Sequence, residues 1–308
     1  MNLSNPLLEE LLASPAMNAV HATLEGCKTL PVYRLHLPDR GDVENEAQRW
    51  ARALFVDCKY LDPRAQTARH DNRFVLRHSD GLRVRAYYAS GTVEYRHLGR
   101  AYAGTTAIAD LRDAEAVVAR FADRHALWPF DSIGQLQPKD FQLVQSLGMD
   151  PRSVETEITT HNAIIGYQRV TSGIPWIGPG SRVLAIIEKD DVVGFDRSWR
   201  PVIPGAVCSV AVMPAEQAIR SMLDLIAMRA GGKPLERGAL RLERAELGYY
   251  AMDKRAEQRF LQPAYQFFYR TSGEAAAAIV EVIAAHGEAI EPLVEPPSMA
   301  PHDTRPAC

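Results

Sequence analysis

The chain has 308 residues, 46% hydrophobic and 24% charged, with a formal net charge of −3 and a pI near 6.3. That balance excludes a disordered or collagen-like chain. With 35 basic against 38 acidic residues it also lacks the basic excess of a dedicated nucleic-acid binder.

The first segment, MNLSNPLLEELLASPAM, has no basic start and no continuous apolar run, because Glu9 and Glu10 interrupt the leucines. It does not read as a signal peptide. Its leucines sit at helical spacing, with Ser4 or Asn5 available as a cap, so it predicts a short helical arm that docks on the body or on a second subunit. PVYRLHL (31–37) alternates like a strand. Residues 43–55 place Val43, Ala47, Trp50, Ala51 and Leu54 on one helical face. Strand candidates follow at 73–79, 81–90 and 91–98, with Ser79-Asp80-Gly81 and Ser90-Gly91 as turns.

The pattern recurs. Leu111 to Leu127 predicts a helix that ends at Trp128-Pro129. Strands are expected at 138–147, 156–170, 181–188 and 191–198, with Lys189-Asp190-Asp191 turning the last pair. Met213-Pro214 leads into a helix over 215–230 that Gly231-Gly232 stops. Further strands are expected at 239–252, 261–270 and 275–284, and the residues from Glu288 read as a disordered tail. Helices followed by antiparallel strands, three times over, predict an α+β fold with helices packed on one face of curled antiparallel sheets. We divide the chain into an N-terminal α+β domain (1–105), a C-terminal domain (106–287) and a tail (288–308).

No catalytic motif emerges. Gly178-Pro179-Gly180 lacks the following helix and Lys-Ser/Thr pair of a phosphate loop, and a β-turn explains it. The nine histidines form no HxH, HxxxH or HExxH, so converging metal ligands cannot be assembled from spacing. Cys27, Cys58, Cys208 and Cys308 are scattered, form no CxxC and read as reduced thiols. Asp190-Asp191 sits in a predicted hairpin turn rather than a sheltered pocket, and no GxSxG elbow occurs. No cofactor is expected. No stretch of about 18 apolar residues suggests a membrane span, and the expected compartment is cytoplasmic.

Aromatic residues and arginines concentrate on the strands. Alternation puts Tyr167 with Arg169, and Arg83 with Arg85 and Tyr87, on common faces. Such pairs suit peptide recognition, where rings supply contact area and guanidinium forks hold carboxylates. The competing reading is ordinary sheet scaffold with arginines solvating an outer face.

The run GYQRVTSGIPWIGPGSRVLAIIEKDDVVGFDRSWRPV (166–202) resembles a PepSY or thermolysin-propeptide (FTP) type module. Gly173-Ile174-Pro175-Trp176 would supply its first turn, Lys189-Asp190-Asp191 its second and Ser198-Trp199-Arg200-Pro201 its exit, although Trp176 stands where a small aliphatic residue is more usual. LGYYAMDKRAEQRFLQPAYQFFYR (247–270) resembles the further strand pair of such proteins. The resemblance spans about the last two thirds of the chain. It implies repeated cystatin-like units and the binding or inhibition of a polypeptide, and for a cytoplasmic relative a carrier of a precursor peptide in modified-peptide (RiPP) biosynthesis.

The expected function is therefore non-catalytic binding of a linear peptide that is presented to partner enzymes, with a homodimer possible. The alternative is an isomerase or cyclase of a biosynthetic pathway. The candidate ligand contacts are Tyr167, Arg169, Trp176, Arg182, Trp199 and Arg200, then Arg85 and Tyr95.

Overall fold

The computed structural model describes residues 6–55, 66–78, 81–100, 105–129, 133–149, 156–232, 235–271, 279–287 and 289–293. Its helices form where apolar residues recur at three- and four-residue spacing. In α3 (Arg40–Leu54), Val43, Ala47, Trp50 and Ala51 are buried. In α4 (Leu111–Arg124), the Asp110 side chain caps the Asp113 amide, and Ala114, Val117, Val118 and Ala122 face inward. In α5 (Ala215–Arg229) the inner face runs from Ala215 to Ile226, and Gly231 follows at a φ of 78°. The N-terminal segment makes α1 (Pro6–Leu12) and a second helix absent from the sequence reading, α2 (Asn18–Gly26).

The strands are β1 (Thr29–Leu35), β2 (Gln66–Arg69), β3 (Arg73–Arg77), β4 (Leu82–Tyr87), β5 (Val93–His97), β6 (Gln135–Met149), β7 (Thr156–Thr171), β8 (Ile174–Ile177), β9 (Arg182–Glu188), β10 (Asp191–Arg197), β11 (Val202–Ala211), β12 (Leu240–Tyr250), β13 (Phe260–Thr271) and β14 (Ile279–Ala284). They form one open sheet in the order β11-β1-β13-β12-β8-β7-β9-β10-β5-β4-β3-β2, with β6 on β7 and β14 on β13. The fold is α+β, as the element order predicted. Neighbours are antiparallel except β8 and β12, which pair in parallel at Trp176–Tyr249 and Ile177–Tyr250.

Besides α2 and the short β2, which the sequence reading also lacks, two findings differ from the sequence expectation. Gly173-Ile174-Pro175-Trp176 is more than a turn: β8 starts within it, leaves β7 after two residue pairs and crosses to β12. The second is β11, a strand with no counterpart in the reading. Nearly all its residues are exposed, so the alternation that reveals a half-buried strand never arises. The expected strand at 275–284 lies partly outside the described residues, as does most of the expected tail. Within that tail, Glu291 accepts hydrogen bonds from the Arg259 and Phe260 amides, and Leu293 is buried.

The helices cover one side of the sheet in two places. One core joins α3 and α4 to β3, β4, β5, β7, β9 and β10 and includes Trp50, Phe74, Tyr95, Val118, Ile165 and Phe195, so residues on both sides of position 105 share it. A second core joins α1, α2 and α5 to β12 and β13. The N-terminal arm therefore docks on the body, with Leu7, Leu8 and Leu11 buried beside Ile219 and Met222.

The β8–β12 crossing depends on glycine. A Cβ added at Gly248 would run into the Pro175 carbonyl oxygen, and one at Gly180 into that of Met252. Gly248→Ala should therefore lower unfolding free energy by about 1–3 kcal/mol, the usual range for overpacking. Chemical denaturation checks this, and an unchanged midpoint would show that the two strands do not approach so closely.

Glu46 ties α3 to β10. It accepts from Arg49 Nε and Nη2 and from the Trp50 indole, and it pairs with Arg197. Burial alone would raise its carboxyl pKa, but Arg49 and Arg197 more than offset that and hold it at about 2. The unfolded chain then binds the extra proton between roughly pH 4.5 and 2, so this contribution is complete above that window and is lost as pH falls through it. The stability difference between the parent and Glu46→Gln should shrink over that interval in acid titrations; a pH-independent difference counts against it.

Candidate functional site: a groove between two helix-free sheet faces

Alternation along each strand sends one set of side chains to the helices and the other to the uncovered face. On β7 and β9, Ile165, Tyr167, Val183 and Ala185 enter the first core, while Ile164, Gly166, Gln168, Arg182 and Leu184 lie opposite them in register. On β12 and β13, Leu247, Phe267 and Tyr269 enter the second core, leaving Arg244, Glu246, Gln266 and Phe268 on the other face. A groove of about 600 Å³ lies between these uncovered faces, with Trp176, Ile177 and Gly178 of the β8 crossing also in its lining. This volume is that of a ligand site.

The walls are mixed in character. Lys139 of β6 reaches Glu246 of β12 at 2.8 Å. The Arg244 guanidinium lies 3.8 Å from the Phe268 ring centroid, and Arg244 approaches Glu246 at 3.9 Å. Gln168 donates to the Trp176 carbonyl at 2.8 Å. Arg182 is exposed and Asp140 lies across from Gly166. The groove thus offers apolar surface from Ile164, Leu184 and Phe268 beside charges of both signs.

Of the sequence-predicted residues, Arg169, Trp176, Trp199 and Arg200 come together, and they turn inward. Arg169 is wholly buried. Its guanidinium lies 3.7 Å from the Trp176 ring centroid and 4.0 Å from that of Trp199, and it donates to the Arg200 carbonyl at 2.9 Å. Trp176 in turn donates to Thr171 Oγ1 at 2.8 Å. Arg200 is buried as well and donates to the Asp253 and Ala256 carbonyls at 2.8 Å, with longer bonds to Ala89 and Met252. Burial pushes the Arg169 pKa down to about 9 and that of Arg200 to about 10.

Tyr167 packs edge-on against Trp128, and burial, then the Glu115 charge, raises its hydroxyl pKa. Tyr95 stacks on Phe121 inside the first core, on the opposite side of β5 from the uncovered face. Arg85 lies on that face, 3.8 Å from Glu94. Of the eight residues, Tyr167, Trp176 and Arg182 border the groove.

Sequence reasoning missed the opposite wall, formed by Arg244, Glu246, Gln266 and Phe268. A signal existed in the run Gln266-Phe267-Phe268-Tyr269. An aromatic residue on both faces of one strand indicates that both faces are covered. Among the described residues no group of three His, Cys, Asp or Glu side chains could hold a metal, and no helix is long and apolar enough to cross a membrane. Cys27 and Cys208 are free thiols.

No protein-family model matches the chain, and no curated protein matches it. Among solved structures it is similar to an uncharacterized protein from Eubacterium rectale ATCC 33656, at 10% identity and a TM-score of 0.48, over 85% of each chain. It is also similar to YycH from Bacillus subtilis, at 10% identity and a TM-score of 0.37, over 84% of this chain and 52% of that one. The present chain therefore spans about half the length of YycH.

One buried group stands out near the groove. Asn162 shares the helix-free side of β7 with Ile164, is fully buried, and its carboxamide makes no hydrogen bond among the described residues. An unsatisfied buried amide costs about 1–3 kcal/mol. The near-isosteric Asn162→Leu should therefore stabilise the protein by about 1 kcal/mol, read from the denaturation midpoint. A clear loss of stability would mean that the amide is satisfied in solution.

Proposed function

We propose that this protein binds a linear peptide segment in the groove between its two helix-free faces, without altering it, and presents it to a partner enzyme. The observation that carries the reading is the construction of the groove, in which two sheet faces meet around apolar side chains flanked by charges of both signs. Peptide recognition uses this combination: aromatic and aliphatic side chains give contact area, and guanidinium groups with paired charges fix register. Arg182 and Phe268 are the contacts we assign first, one on each wall. Lys139 and Glu246 neutralise each other across the groove and leave Arg182 and Asp140 for the ligand. The PepSY-like resemblance of residues 166–202 extends the reading to a precursor peptide of a modified-peptide pathway.

Calorimetry against a pool of linear peptides, followed by mass analysis and fragmentation of each, tests this. The expected result is saturable binding, with peptide mass and connectivity unchanged and affinity weakened at least tenfold in Arg182→Glu and in Phe268→Ala. Both positions lie outside the buried Arg169–Trp176–Trp199 cluster, so the variants should keep their fold. A chemically altered peptide, including an isomer of equal mass, would make the protein an isomerase or cyclase instead. Absence of binding to any peptide would overturn the proposal.

A further inference from the structure

The uncovered face of the first lobe continues past the groove, and its register can be followed strand by strand. Ile164 of β7 pairs with Ile186 of β9, Ile186 with Gly194 of β10, Gly194 with Arg96 of β5, Arg96 with Arg83 of β4, and Arg83 with Arg77 of β3. The adjacent row runs from Gly166 through Leu184, Asp196, Glu94 and Arg85 to Val75. Directly paired residues project to the same side of an antiparallel sheet. One surface therefore carries the groove-lining Ile164 and Leu184 and, three strands away from β9, an arginine face. At about 4.8 Å per strand that separation is roughly 14 Å.

The charges on this face do not balance. Arg73, Arg77, Arg83, Arg85 and Arg96 project from three neighbouring strands, and Lys254 reaches over from the β12–β13 connection. The two carboxylates here are already engaged. Asp196 accepts from both Arg96 nitrogens, and Glu94 pairs with Lys254 and Arg85. Among the described residues, no carboxylate pairs with Arg73, Arg77 or Arg83. Arg83 is half-buried between Arg77 and Arg96, and burial, then the Arg85 charge, pushes its pKa down to about 10. This arrangement is costly without an anion, in a chain whose net charge is −3.

We infer that this arginine face is an anion-binding surface that receives an acidic segment of the polypeptide lying in the groove, with Arg77 and Arg83 as the principal contacts. The inference rests on the proposed peptide-binding function and names the chemistry of the peptide. Carboxylate side chains spaced along an extended chain match guanidinium groups spaced along neighbouring strands, and each fork can take a carboxylate in two parallel hydrogen bonds. At Gly194 the face has no side chain of its own, and the Ile186 tip and the Arg96 side chain lie over it, joining the apolar end of the face to the arginines.

The test uses octaglutamate, a probe that needs the arginine face and none of the groove's apolar surface. The full-length protein should bind it saturably, with affinity that falls as salt rises. The double variant Arg77→Glu/Arg83→Glu should weaken binding at least tenfold, whereas Arg112→Glu/Arg120→Glu, the same charge change on exposed positions of α4, should leave it within twofold. Arg77→Gln/Arg83→Gln provides a milder second variant should the charge reversal unfold the protein. No octaglutamate binding, or equal loss in both charge-reversal variants, overturns the inference while leaving groove binding of neutral peptides untouched. Tighter binding of a ten-residue oligothymidylate than of octaglutamate would overturn it in favour of nucleic acid. If octaglutamate binds as expected while the Arg182→Glu and Phe268→Ala variants bind every peptide normally, the arginine face stands and the groove reading fails.

Discussion

A guanidinium group buried between two indole rings fixes how the halves of this protein meet. Removing a cation from water costs several kcal/mol unless its donors and charge are met inside. For Arg169 the faces of Trp176 and Trp199 take its charge, and the Arg200 carbonyl accepts from it. Arg200 repeats the solution with backbone carbonyls from Ala89 and from the 252–256 connection. Residues 89, 169, 176, 200 and 253 are distant in sequence, and these two side chains bring them to one point. Each arginine would lose further hydrogen bonds if its partners moved, so the whole arrangement holds or fails together.

The groove follows from that constraint. Trp176 can stack on Arg169 only if β8 begins beside β7, and β8 then pairs in parallel with β12 where Gly248 permits close approach. The crossing joins the two uncovered faces through a single short strand, and the space beside it is lined from both sides. Lys139 and Glu246 close one ion pair over that space, where partial burial strengthens it relative to a pair in open water.

The parts of the fold legible in the sequence were those governed by one local rule. The apolar repeat of Val43, Ala47, Trp50 and Ala51 predicts α3, and Lys189 takes a φ of 56° in the turn expected of it. The parts that escaped lacked such a rule. β11 is exposed on both faces, with Ile203 40% and Val207 52% accessible, so its sequence shows no period of two. β8 was hidden because Gly173 and Pro175 are turn residues in sequence, while the pairing that makes a strand of the segment comes from Tyr249, more than seventy residues away. In the site the residue types were legible and their orientation was not. An arginine beside a tryptophan reads equally as a surface clamp or as a buried stack, and in the structure Trp199 on its second face and Gly134 against its stem help to make Arg169 internal.

Six arginines of this chain consequently fall into two groups that sequence alone cannot separate. Arg169 and Arg200 are buried and Arg197 is half-buried, and each is answered by rings, carbonyls or Glu46. Arg73, Arg77 and Arg83 stand on a sheet face whose two carboxylates are engaged elsewhere. The first group holds the fold and gains nothing from a further anion. The second adds repulsion among neighbouring guanidinium groups, which opposes folding in proportion to their proximity. Arg83 can keep its half-buried place because the first group and the two cores stabilise the sheet beneath it, and an arriving carboxylate would find there a charge that the fold has left unneutralised.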